Sequence, residues 1–307
     1  MTMTQGKPRF LMCQPEHYGV LYTINPWMDP QDWARDDRGL TAAAGEWAAL
    51  HRTLIDHGAL IELVTPAHGL PDLVFTANGA VVFNRTAVLA RFRHVERQGE
   101  EREFALAFRT LEGRGLVDRV VKLPDDIMLE GAGDCVWDVA RGLFWMGYGP
   151  RSNLVAREFV TGVFGTDVIA LELADPRFYH MDTALSPLPG GEVMYFPGAF
   201  TADGNATVCA RVAPDMRIDI AEEDACRLAA NAVCLGDVLI MAGCSDRLRA
   251  RLAERNYRVV STPLDAFKKS GGSAFCLTLR LDHQSRSGGD QASAPAAGRR
   301  RQREAAR

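Results

Sequence analysis

The sequence predicts an α/β fold in which about five similar units of about 45–50 residues close into a ring. Three observations carry that reading. A polar turn opens a hairpin, a helix crosses back and a strand follows, and this order recurs along the chain. The last strand pattern, residues 277–281, has no helix of its own. The first strand, helix and strand lack a hairpin partner, so the two ends can complete one unit between them. The units share pattern rather than letters.

Residues 9–13 read as a short strand. Residues 14–38 are irregular and hold Pro15, Pro26 and Pro30; a loop of that length in a compact domain is often functional. Residues 41–57 form a helix with Ala44, Trp47, Leu50, Leu54 and Ile55 on one face, ended by Gly58. A strand follows at 60–64. The polar turn 71–79 leads into a strand at 80–83, and Asn84-Arg85 reverses it into 86–90. A helix is expected at 96–112 and a strand at 117–123. Residues 130–134 open the next hairpin, 135–138 with 143–147, followed by a helix at 153–163 and a strand at 167–171. Residues 180–196 supply a hairpin and 221–230 a helix. Residues 232–241, 245–255 and 257–260 give hairpin, helix and strand once more. From Gln284 no large aliphatic or aromatic residue occurs. Residues 1–283 are therefore read as one catalytic domain and 284–307 as a disordered, arginine-rich tail.

Composition narrows the function classes. The chain is 47% hydrophobic and 24% charged, with a formal net charge of −4. The tail contributes +4, which leaves the body at −8 and argues against nucleic-acid binding. No apolar run has the length of a membrane span, and the first ten residues lack the apolar core of a signal peptide. Seven cysteines without a C-x-x-C pair fit reduced cytoplasmic thiols better than a disulfide framework or a metal site. Six of them, Cys13, Cys135, Cys209, Cys226, Cys234 and Cys244, are expected to pack as small hydrophobes. Self-association into a homo-oligomer stays open.

Cys276 is set apart. Gly271-Gly272 gives the backbone unusual freedom just before it, and a strand pattern follows at once. A thiol there can face a cleft while the strand fixes its direction, and as a thiolate it is a nucleophile. His180, at the start of another hairpin, suits proton transfer, and Glu130 can orient it. Asp72 and Asn78, Asp134, and Asp182 stand at the same position of their units. A cleft lined by several acids disfavours a cysteine peptidase and suits a cation. A guanidinium presents five N–H donors in a planar fork that carboxylates match. Its charge also favours the thiolate. Arg97 and Arg151 lie just after hairpins, where either can hold a substrate carboxylate.

The segments FTAN (75–78), EGAGD (130–134), FYHMDT (178–183) and GGSAFCLT (271–278) resemble the guanidino-group-modifying enzymes of the pentein superfamily. These include arginine deiminases, dimethylarginine dimethylaminohydrolases and amidinotransferases. LMCQPEHYGVLYTINPWMDP (11–30), ERQGEE (96–101), GYGPRS (147–152) and YFPGAF (195–200) are similar to the catalytic domain of bacterial arginine dihydrolases. The resemblance spans about residues 9–281 and implies a five-bladed α/β propeller. It implies Cys276 as nucleophile, His180 as general acid and base, and Glu130 as the third catalytic acid. Asn78 and Asp182 would hold the guanidino group, Asp72 the α-amino group, and Arg97 and Arg151 the α-carboxylate. Asn25 matches a substrate-contacting position of the dihydrolases, and Asp134 is placed in the same lining. Deiminases and dimethylaminohydrolases carry aspartate where this chain has Asn78. Dimethylaminohydrolases also lack the aspartate two residues after the histidine, present here as Asp182. The expected activity is cofactor-free hydrolysis of arginine to ornithine through a covalent amidino-cysteine. A deiminase giving citrulline, a dimethylaminohydrolase, an amidinotransferase and a catalytically silent amino-acid-binding module are the alternatives.

Overall fold

The structure, a computed structural model, describes residues 6–285. The expected tail therefore lies outside the described residues, apart from Gln284 and Ser285. Five three-stranded sheets make up the fold. β1 (Arg9–Cys13) runs parallel to β2 (Leu60–Val64), joined through the helix Gly39–Asp56. The next units begin with an antiparallel hairpin and add a parallel strand after a helix. They are β3 (Ala80–Phe83), β4 (Thr86–Leu89) and β5 (Arg119–Val121), then β6 (Cys135–Asp138), β7 (Leu143–Tyr148) and β8 (Val168–Glu172). β9 (Leu185–Pro187), β10 (Val193–Tyr195) and β11 (Arg217–Asp219) form the fourth sheet. β12 (Val233–Leu235), β13 (Val238–Met241) and β14 (Arg258–Ser261) form the fifth. β15 (Leu279–Arg280) pairs antiparallel with β1, Phe10 opposite Arg280 and Leu11 opposite Leu279. The ring thus closes by joining the two ends in one sheet, as the pattern predicts.

The local reasons are legible. β3, β6 and β13 are buried at every residue, which explains the unbroken apolar runs of β3 and β13 and the apolar residues of β6 before Asp138. Asn84 and Arg85 both take positive φ (+47° and +59°), the geometry of a tight hairpin turn whose twist matches the strands. Gly165 ends the helix Ala156–Phe164 in the left-handed conformation. Thr201 and Ser245 cap the helices Ala202–Arg211 and Asp246–Ala253 by accepting from Gly204 N and Leu248 N.

Several expectations need correction. The helix expected at 96–112 is two, Val95–Gln98 and Glu100–Gly113. The bend lets both Arg97 and Glu100 turn inward. The helix expected at 153–163 starts at Ala156, because Asn153 instead bonds Met128 through both its backbone and its side chain. The helix expected at 221–230 stops at Ala225. Leu228 then adopts φ +56°, which no helix allows, and turns the chain toward β12. The helix Ala202–Arg211 has no counterpart in the sequence reading. Only Gly204 and Val208 of its residues are buried, and Gly, Asn and Thr are weak helix formers. Cys209 is exposed rather than packed, and Cys226 and Cys234 are half-buried.

The core lies between sheets rather than within one. Phe83 shows the principle: its ring centroid stands 4.3 Å from that of Trp137, 5.3 Å from Phe144 and 5.7 Å from Phe164, across two units. No helix among the described residues is long and apolar enough to cross a membrane. Phe83→Ala is expected to lower the unfolding free energy by about 3–5 kcal/mol by leaving a cavity at this junction. Urea titration should show a lower midpoint at unchanged m-value.

Candidate active site

A short turn precedes the opening strand of each hairpin, and these turns meet at the centre of the ring. The main-chain N–H groups of Asn78, Thr183, Asn231 and Thr278 each bond the carbonyl three residues earlier. The turn Gly131–Asp134 packs against the turns Thr76–Gly79 and Met181–Ala184. Gly131, at φ +62°, sits where a Cβ would meet the Ala77 and Asn78 main chain at 2.6 Å, and Gly133 lies against the Asn78 amide, so glycine lets these two turns approach. At the cysteine turn, Gly271 has φ +77° and faces Trp27 and Tyr179, whereas Gly272 is required by the ring of Phe75.

All ten residues singled out in the sequence are buried at this centre. His180 Nε2 lies 2.8 Å from Glu130 Oε2. Glu130 also accepts from Arg151 Nη1 (2.9 Å) and Arg93 N (3.2 Å). Burial alone would raise the Glu130 carboxyl; Arg151 and His180 override it and hold the group well below the usual range. Burial takes the His180 imidazole down to about 4 despite Glu130, so it is neutral at pH 7. With Nε2–H donated to Glu130, Nδ1 is left as an acceptor, 3.5 Å from Asn78 Nδ2.

The Cys276 thiol donates to Asp182 Oδ2 at 3.1 Å. Burial, then the Asp182 charge, pushes this thiol well above the usual cysteine value. Burial likewise raises Asp182 to about 7. Arg97 holds Glu100 through two bonds, 2.9 and 2.8 Å, and donates to Asn78 Oδ1 at 2.9 Å. Asp72 Oδ2 accepts from Tyr22 (2.9 Å). Among the described residues, Asp72 Oδ1 and Asp182 Oδ1 have no hydrogen-bond donor, although both are buried.

Asp134 is at the centre but engaged on both oxygens, by Ser152 Oγ (2.5 Å) and Met181 N (3.2 Å). Asn25 is similarly engaged: its amide donates to Ser270 O (3.0 Å) and accepts from Trp27 N (2.9 Å). It thereby ties the segment 14–38, expected to be irregular but holding the short helix Pro30–Ala34, to the cysteine turn. Arg151 donates to Ile24 O (3.2 Å) in the same loop and lies over the Tyr179 ring. A cleft of about 310 Å³ between β2 and the helix Glu100–Gly113 contains none of these residues.

Sequence reasoning missed Asn231, Glu100 and Tyr22. Asn231 stands two residues before β12, as Asn78 stands two before β3, and that spacing is the signal that could have found it. Glu100 and Tyr22 look like ordinary surface residues of a helix and a loop until the bend and the loop closure turn them inward.

This fold and site define a guanidino-modifying enzyme of the pentein superfamily. Residues 30–282 match the family model described as N,N dimethylarginine dimethylhydrolase, eukaryotic. The chain belongs to that family and is closely related to bacterial arginine dihydrolases. It is 44% identical over 273 residues to the bifunctional arginine dihydrolase/ornithine cyclodeaminase ArgZ of Synechocystis sp., a match covering 89% of this chain and 37% of that protein. The corresponding AgrE of Nostoc sp. is 45% identical over 274 residues, covering 89% and 38%. The chain thus spans well under half the length of these two relatives. The dimethylarginine dimethylaminohydrolase of Mycobacterium tuberculosis is 36% identical, covering 89% of this chain and 85% of that one. A crystal structure of the substrate-bound N-terminal domain of ArgZ superposes with a TM-score of 0.85 at 42% identity, covering 90% of this chain and 99% of that one.

Asp182→Asn should keep an oxygen acceptor beside Cys276 while removing the negative charge. Alkylation of Cys276 by iodoacetamide at pH 8 is expected to speed up, about tenfold for each unit by which the thiol falls. Peptide mapping of the labelled protein reads the rate.

Proposed function

We propose that this protein hydrolyses the guanidino group of L-arginine to ornithine, releasing two molecules of ammonia and one of carbon dioxide. The observation that carries the reading is a pair of buried carboxylate oxygens without donors, Asp182 Oδ1 on the aspartate that contacts the Cys276 thiol and Asp72 Oδ1 on the aspartate beside Arg97. A guanidinium and an α-ammonium supply the N–H groups and positive charge that these acids lack. The dihydrolase relatives support the choice of arginine.

In this reading Asp182 binds the guanidinium and ceases to accept from the thiol. Neutral His180 takes the thiol proton at Nδ1, and Cys276 attacks the guanidino carbon. The proton passes to the departing ammonia, leaving an amidino-thioether. His180 then activates water, and the thiolate leaves from citrulline. Glu130 keeps the imidazole oriented through Nε2. Asp72 receives the α-amino group. Arg97 and Arg151 favour the α-carboxylate through their charge, while each already holds an acid of the protein. Asp134 and Asn25 brace the turn and the loop.

Asn78 decides between one round and two. Because Arg97 must donate to an oxygen, the Asn78 amide is fixed with Oδ1 toward Arg97 and Nδ2 toward His180. An N–H facing the reaction centre can hold the carbonyl oxygen of a ureido group, whereas aspartate would repel it. Citrulline then stays for a second attack, and a second water completes its hydrolysis to ornithine. The seven free cysteines support a reducing, cytoplasmic setting.

The deciding experiment is product analysis. Arginine is expected to yield ornithine with about two ammonia per turnover, the stoichiometry of two hydrolyses at one thiol. Asn78→Asp should shift the product toward citrulline. Citrulline as sole product of the unaltered protein would establish a deiminase instead, and turnover confined to dimethylarginine would establish a dimethylaminohydrolase, the reading favoured by the family match.

The pH profile is a separate check. Asp182 must be ionised to bind the guanidinium, and its carboxyl is raised to about 7. Its carboxylate form is present above that value and lost below it. In steady-state assays, kcat/KM is expected to fall about tenfold per pH unit below about pH 7.

A further inference from the structure

We propose that Asn231 is a positioning residue for the nucleophile, aiming Cys276 Sγ and donating a side-chain hydrogen bond to its thiolate. The inference rests on the reading of Cys276 as nucleophile given above.

Asn231 is fully buried, and every polar atom it has is committed around the cysteine turn. Its Oδ1 accepts from Cys276 N at 3.1 Å. Its Nδ2 donates to Cys276 Sγ at 3.0 Å and, with the second hydrogen, to Asp182 O at 3.2 Å. Its backbone carbonyl accepts from Phe275 N at 3.3 Å, and its own N–H bonds Leu228 O at 3.0 Å. One amide therefore grips the backbone and the side chain of the same cysteine, fixing the direction of Sγ. It also ties that cysteine to the turn carrying Asp182.

The donor matters because burial and Asp182 oppose a thiolate at Sγ, and beside Asn231 only the Ser273 main chain supports one. Asp182 contacts it from the turn Met181–Ala184, and its charge disfavours ionisation. The Tyr179 hydroxyl is spent on Ser270 O and Gly271 O. Among the described residues, Asn231 Nδ2 is the only side-chain donor on Sγ within hydrogen-bond distance. When Cys276 gives up its proton, and again when it leaves as a thiolate, this N–H is in place and needs no rearrangement. The backbone invests in the placement: Leu228, a bulky residue, takes φ +56° to open the turn that presents Asn231.

Four chains test this: the unaltered protein, Cys276→Ser, Asn231→Asp and Asn231→Ala. Asn231→Ala removes the donor without adding charge, whereas Asn231→Asp keeps the acceptor for Cys276 N but replaces the donor by a carboxylate whose charge also opposes the thiolate. Iodoacetamide labelling of Cys276 is followed against pH, together with arginine turnover, circular dichroism and melting temperature. Labelling at pH 8 is expected to slow about tenfold in Asn231→Ala, the effect of a one-unit rise in the thiol, and more in Asn231→Asp, where the new charge adds to the loss of the donor. Turnover should fall at least as much, while KM changes little. Folded Asn231 variants whose labelling profiles superpose on that of the unaltered protein, with Cys276→Ser inactive, overturn the role of Asn231 alone. Failure of both variants to fold overturns it too, by assigning the residue to structure. Turnover retained in Cys276→Ser would remove the nucleophile reading itself and the present inference with it.

Discussion

Among the described residues, five carboxylates, those of Asp72, Glu100, Glu130, Asp134 and Asp182, are buried at the centre of this ring with two buried guanidinium groups, Arg97 and Arg151, to balance them. Ionised acids out of water are costly unless paired, and the arrangement divides them accordingly. Arg151 and His180 keep Glu130 ionised, while burial raises Asp72, Asp134 and Asp182. The centre is short of positive charge and of N–H donors. That shortage, rather than any single catalytic group, makes a cationic, donor-rich substrate the natural occupant. It also explains why the thiol rests protonated: without the cation, the neighbouring aspartate opposes a second negative charge.

The fold exists to hold that imbalance in place. Asn78, Asp134, Asp182 and Cys276 sit on tight turns that lead into strands, while Arg97 and Glu100 reach the centre from helices. The turns approach closely because glycine stands at the contact points, as Gly133 does beneath the Asn78 amide. The Arg97–Glu100 pair adds an orienting chain, from a buried ion pair through Arg97 to one amide oxygen of Asn78. The loop before the first long helix is stitched over the centre by Tyr22, Ile24 and Asn25. Among the described residues, the buried polar atoms there without partners are Asp72 Oδ1, Asp182 Oδ1 and Ser273 Oγ.

The sequence by itself determined the ring and the chemistry. Polar turns before apolar hairpins set the repeat, because strands buried on both faces must be apolar and turns that line a cleft need not be. The unpaired first and last elements foretold their union in one sheet. A cysteine after paired glycines, with a histidine and acids at equivalent positions, named the reaction class. Two limits were local. A weakly apolar helix at Ala202–Arg211 was invisible because it buries so little, and the helix begun at Glu222 ended early because Leu228 had to turn. What only the tertiary structure decided was the direction of each polar group. Whether Asn78 offers its oxygen or its nitrogen depends on Arg97, which lies on a separate helix. Whether Asn231 is a turn former or a partner of Cys276 depends on contact between residues 45 positions apart. Hydrogen bonds are directional and short, so their partners are fixed by where turns meet in space. Burial and periodicity, which a linear sequence encodes, carry no information on that meeting.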